Sequence, residues 1–207
     1  MDFQFYGANC ISLTNKGTRI IIDDNLVDLG GKSITKPDDV ALFTGPHEGA
    51  KTGRLSFDSP GEYEVADTSV IGIAARSHMD EEGKQSATMF KLIVGELKVL
   101  VTGHIYPELS DAQLETIGMV DLMFVPVGGN GYTVDPVGAL KLIKAVEPKL
   151  VVPTHYADKA FNFPMPQQDL AHALKELAME PQETVSKLKL KPSELSDLTH
   201  LIVLEKS

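Results

Sequence analysis

Four of the six histidines directly follow an apolar, strand-like run. His47 ends Val40-Ala-Leu-Phe-Thr-Gly-Pro-His, and His78 ends Ser69-Val-Ile-Gly-Ile-Ala-Ala-Arg-Ser-His. His104 ends Leu97-Lys-Val-Leu-Val-Thr-Gly-His, and His155 ends Leu150-Val-Val-Pro-Thr-His. Loops at strand ends are where a rigid sheet places working side chains. Imidazole is the commonest side-chain metal ligand near neutral pH. The four residues are therefore candidate metal ligands, with loop or capping histidines as the plain alternative. His172 falls within a helical stretch and His200 just before a final apolar run, so both are read as structural.

The elements that must position these residues are strands first. Phe3–Tyr6, Ile11–Thr14 and Arg19–Ile22 are separated by turns at residues 7–9 and 15–17, an antiparallel meander. Val40–Thr44 is a further short run. Gly61–Ala66 with Ser69–Ala74, and Met89–Val94 with Lys98–Thr102, read as hairpins. Then the period changes. Ser110 and Gln113 have the capping-box spacing for a helix to Ile117. Asp135-Pro136 starts a second helix running to about Val146, and Gln167–Ala178 reads as a third. Leu122–Val127, Leu150–Val152 and Leu201–Leu204 are buried-type strands. No linker or repeat divides residues 1–207, which are read as a single domain of layered α/β packing.

Composition narrows the partners. A net charge of −10 disfavours nucleic acid and anionic membranes, both of which need clustered cations. Cys10 alone cannot form an intrachain disulfide, which fits a reducing cytoplasm, and its simplest role is a small buried apolar residue. The N-terminus shows no signal-peptide pattern. A small-molecule ligand and a homo-oligomer both stay open.

The chain resembles the metallo-β-lactamase-fold hydrolases, in the branch related to L-ascorbate-6-phosphate lactonase. The stretches that carry the resemblance are Phe5-Tyr-Gly-Ala-Asn-Cys-Ile-Ser-Leu13, Arg19-Ile-Ile-Ile-Asp23, Asp39-Val-Ala-Leu-Phe-Thr44 and Pro60-Gly-Glu-Tyr-Glu-Val65. Leu109-Ser-Asp-Ala-Gln-Leu114, Val120–Gly129 and Val152-Pro-Thr-His-Tyr156 extend it. It implies a four-layer αββα sandwich with the site along one edge of the two sheets.

The resemblance also implies a degenerate metal-binding motif. The family's His-x-His-x-Asp-His reads Gly45-Pro-His-Glu-Gly-Ala50, keeping only His47. His78 and His155 match the later histidines, and His104 stands in place of the aspartate that bridges two metals. A neutral imidazole offers one lone pair and cannot bridge as a carboxylate does. The expectation is at most one zinc per chain, or none, held by His47, His78 and His104 with His155 nearby or as a fourth ligand. Two functions remain: a mononuclear hydrolase of a small ester, lactone or phosphorylated metabolite, or a non-catalytic binding or assembly module. Asp23, at a strand end near the implied site, is either functional or the start of a turn. Gly128 and Gly129 open a loop that lacks the Gly-Lys-Ser/Thr of a nucleotide site.

Overall fold

The structure, a computed structural model, describes residues 1–46 and 53–207. His47 and the motif positions Glu48, Gly49 and Ala50 lie outside the described residues.

The chain opens with the expected meander. Asp2–Gly7 (β1), Cys10–Asn15 (β2) and Thr18–Ile22 (β3) pair antiparallel, with Phe3 opposite Leu13 and Leu13 opposite Ile20. Alternate residues of β1 face inward, as a half-buried strand requires. Val40–Leu42 (β4) and Leu55–Phe57 (β5) extend this sheet in parallel. Gly61–Val65 (β6), Thr68–Ala75 (β7), Ala87–Val94 (β8) and Leu97–Val101 (β9) form a second antiparallel run.

The helical units follow. Asp111–Ile117 (α1) leads to Leu122–Pro126 (β10), and Pro136–Val146 (α2) leads to Leu150–Thr154 (β11). Leu170–Leu177 (α3) precedes Pro181–Val185 (β12), Leu188–Lys189 (β13) and His200–Leu204 (β14). The capping box of Ser110 and Gln113 is formed, and Asp135 caps α2 through Gly138 N. The third helix starts later than the sequence suggests, with Asp169 as its cap. Gln168 is tied elsewhere, its N–H to Gly128 O and its carbonyl to Ala157 N, so the chain stays extended up to Asp169.

Among the described residues the strands form two sheets, ordered β13-β1-β2-β3-β4-β5 and β12-β14-β11-β10-β9-β8-β7-β6. One core lies between them, with Phe3, Leu13 and Leu42 from the first sheet against Phe90, Leu92 and Phe124 from the second. A second core packs all three helices on the outer face of the larger sheet, through Ile117, Leu142, Ile143 and Leu177. The fourth layer is thin: a single 3-10 turn, Leu26–Leu29, and the loop around Phe161 and Phe163 cover Cys10 and Ile21. The fold is the αββα sandwich, and it delivers the ends of β3, β4, β7, β9 and β11 to one edge.

Candidate functional site

The seam between the sheets is closed by specific bonds at that edge. His155 adopts φ 51°, a left-handed conformation uncommon for a residue other than glycine, and its N–H donates to the carbonyl of Ala8 at 2.7 Å. Thr154 Oγ1 donates to Asn9 Oδ1 at 2.8 Å. Both bonds tie the end of β11 to the turn between β1 and β2. Thr88 N–H likewise donates across to Thr44 O at 2.8 Å.

Asp23 forms the floor. It is 5% exposed, and its Oδ1 accepts from Thr44 N–H at 2.7 Å while its Oδ2 accepts from Thr44 Oγ1 at 2.6 Å. Burial pushes its carboxyl up to about 6, against the opposing effect of the two Thr44 bonds. Asp23 is thus both part of the site and, at φ 54°, the turn that ends its strand.

Two of the four strand-end histidines bring their rings together. The His104 and His155 rings meet edge to face, 4.4 Å between centroids and 83° between planes. His78 sits alongside through its main chain, its N–H donating to His104 O at 2.8 Å, where Ser77 and Ile105 also bridge. The Nδ1 of His78 is buried with no protein partner. The fourth, His47, is outside the described residues.

Each ring of the central pair is oriented by the protein. Gln167 Nε2 donates to Met165 O at 2.7 Å, which turns Oε1 toward His155 Nδ1 at 3.2 Å. Nδ1 therefore carries the proton and Nε2 the lone pair. The carbonyl of Tyr132 accepts from the His104 ring. Burial, then the neighbouring His155 and His78, holds His104 well below the usual imidazole range. Burial takes His155 down to about 4, although the Gln167 bond opposes this. Both rings are neutral near pH 7, so each keeps one lone pair.

Tyr132 and Gln167 escaped the sequence reading. Tyr132 packs against both rings, at 5.4 Å from His104 and 5.6 Å from His155. Its place at the end of the glycine-rich loop 128–132 is the signal that points to it. Gln167 looked like the start of a helix. Gly128 needs to be glycine, because a Cβ there would lie 2.1 Å from His155 O and 2.2 Å from Gln167 Oε1.

His104 lines a cleft of about 230 Å³ together with Asp23, Thr44, Ser77, Met79 and Tyr132, among others, and His155 lies buried behind it. Among the described residues no three of His, Cys, Asp and Glu are grouped to hold a metal ion. The nearby carboxylates carry hydrogen bonds, although Asp24 Oδ1 is buried without a partner. Asp23 is held by Thr44. Asp24 Oδ2 accepts from Ser33, Ile34 and Thr35, and Asp80 accepts from Ser77 and Ser86. His104 and His155 supply two nitrogen donors, and a single ion would need more from outside them.

The profile of the beta-lactamase superfamily domain matches residues 2–155, and the chain belongs to that family. Its fold is that of a Thermotoga maritima protein assigned as a Zn-dependent hydrolase of the metallo-β-lactamase superfamily. That likeness has a TM-score of 0.76 at 23% identity, over 99% of this chain and 98% of the other. It is also similar to Igni18, a metallo hydrolase of Ignicoccus hospitalis, with a TM-score of 0.64 at 18% identity, over 99% and 95% of the two chains. In sequence it is 39% identical over 67 residues to a UPF0173 metal-dependent hydrolase of Carboxydothermus hydrogenoformans. That match spans 32% of this chain and 29% of the relative's length. No described helix is long and apolar enough to cross a membrane.

Proposed function

We propose that this chain is a metal-dependent hydrolase-like protein with an eroded two-metal site, holding at most one metal ion and acting on a small ester, lactone or phosphorylated metabolite. The observation that carries the reading is the paired, oriented His104 and His155, each with one nitrogen committed to the protein and one lone pair left. The names of the relatives, metal-dependent or metallo hydrolases, support the same class. Zinc suits a set of imidazole donors, with His47 and His78 as the candidates to complete it. A single bound zinc supplies Lewis acidity and lowers the pKa of its water to about 7. The chain's own part is to hold the rings: Gln167 sets the His155 tautomer and the Tyr132 carbonyl aims His104. The lone buried cysteine supports a reducing compartment such as the cytoplasm.

Elemental analysis of untagged protein tests this reading. The expected result is one equivalent of zinc that disappears in His104→Ala. Two tightly bound equivalents would overturn it. A second reading, a binding module without catalysis, is favoured by one observation: both oxygens of the cleft carboxylate Asp23 are taken by Thr44. Zero metal uptake on titration, with no turnover of an ester and lactone panel, would select it.

A further inference from the structure

His155 is 2% exposed, so its ring is enclosed. Phe163 lies against it, 4.9 Å between ring centroids, together with His104 and Tyr132. Anything arriving from solvent reaches its free nitrogen only when a covering group moves. Phe163 belongs to the segment 157–168 that directly follows His155. Ala157 N–H donates to Gln168 O at 2.8 Å, so the two ends of this segment meet, as in a compact Ω-loop.

The body of the loop is held by a few separate contacts. Phe161 is inserted into a space that glycines leave open. A Cβ on Gly7 would lie 2.1 Å from Phe161 Cε2, and one on Gly31 would lie 2.8 Å from Phe161 Cε1. Asn162 N–H donates to Leu29 O at 2.9 Å. The last contact comes from the far end of the sequence. After β14 the chain leaves the larger sheet for the smaller one: Glu205 N–H donates to Val185 O, and Ser207 N–H to Phe5 O, both at 2.9 Å. Between them, Lys206 bridges to Phe5 and runs past Gly7. Its Nζ pairs with Asp158 Oδ2 at 2.5 Å and sits 5.0 Å from the centre of the Phe161 ring. One ammonium thus grips both the base of the loop and its inserted ring.

We propose that residues 157–168 are a latch over His155, with Phe161 as the bolt and Lys206 as the catch. Withdrawing Phe161 from its glycine socket carries Phe163 off the imidazole. The motion gives up one ring contact, one ion pair and one main-chain bond, and it leaves both sheets intact. Openings of this kind occur far more often than unfolding of the whole domain. The latch matters to function through the reading of His155 as a donor in the site. Its existence is tested without metal and without turnover, so the two fail separately.

The test is carbethoxylation by diethyl pyrocarbonate, which labels accessible neutral imidazole, followed residue by residue by mass spectrometry. The untagged protein is used, with a chelator present so that no ion shields the ring. His172, whose side chain is 51% exposed, is the internal reference. In wild type His155 is expected to react on the order of 100-fold more slowly than His172. Lys206→Met, which keeps the stem and removes the charge, should speed His155 roughly threefold. Phe161→Ala should speed it about tenfold or more, with His172 unchanged in both variants. At low urea the wild-type rate should stay flat, because releasing one loop exposes little surface. Three results would overturn the proposal. His155 reacting as fast as His172 in wild type would show that nothing closes over it. A rate that climbs from the first addition of urea with the slope of global unfolding would show that the ring is reached only when the whole fold opens. A wild-type rate in either variant would show that the altered residue does not hold the loop.

Discussion

A Cβ on residue 103 would lie 2.1 Å from Oγ1 of Thr44, the hydroxyl that donates to Asp23. Gly103 also has φ 62°. Gly95 has nearly the same backbone, φ 61°, but nothing within 4 Å of its absent side chain. Comparing the two alanine variants separates backbone strain from collision. Gly95→Ala is expected to cost about 1 kcal/mol. Gly103→Ala should cost about 3 kcal/mol, because Thr44 must also move off Asp23. Urea unfolding reads both, and equal losses would show that the Thr44 contact carries no energy.

Asp23 makes stability fall with rising pH. Its carboxyl titrates at about 6 in the fold against 3.8 as its ordinary value. Between those two values the folded chain binds the proton that the unfolded chain has released. Stability is therefore lost as pH rises through about 4 to 6, by on the order of 2–3 kcal/mol in all. Asp23→Asn keeps an oxygen for Thr44 N–H and cannot ionise. It is expected to flatten this slope, seen as urea midpoints that no longer differ between pH 4.5 and 7.

Asp80 works in the opposite sense. Burial alone would raise its carboxyl, but the hydrogen bonds from Ser86 and Ser77 outweigh this and hold it at about 2. Its contribution is present above the ordinary value near 4 and lost as pH falls toward 2. Asp80→Asn removes the charge from a group that ties the loop carrying His78 to Ser86. A loss of roughly 1 kcal/mol at pH 7 is expected, with a shallower acid transition below pH 4. An unchanged acid limb would assign that transition to other carboxylates.

Gln167 holds the proton of His155 on Nδ1. Gln167→Leu removes the acceptor, and ring nitrogen shifts should report a mixture of the two tautomers. Stability should drop by about 1 kcal/mol. Any metal held by the site should bind about 10–100-fold more weakly, the usual cost of losing an outer partner. A His155 that keeps its single tautomer would show that its own main chain, and not Gln167, sets the proton.

Much of this architecture was readable in advance. The meander, the hairpins, the capping box at Ser110 and the Asp135-Pro136 start all rest on local chemistry, and local chemistry is written in neighbouring residues. The same holds for the strand-end placement of His78, His104 and His155. The β12 edge strand Pro181–Val185 was not readable, because it is exposed along almost its whole length and carries no apolar alternation. Gln167 was missed for a different reason. Its role depends on a bond to a residue twelve positions earlier, across a loop whose path no local pattern specifies. The edge-to-face meeting of His104 with His155 is likewise a product of two strands lying either side of β10, and sequence spacing does not encode it.

The bond from His155 N–H to Ala8 O gives the site an unusual reporter. Its donor belongs to one sheet and its acceptor to a turn of the other, so fraying at either chain end leaves it intact. Exchange of that amide with solvent requires the sandwich to part at its edge. Its protection therefore measures the cooperativity between the two halves, and the site is lost in the same event that separates them.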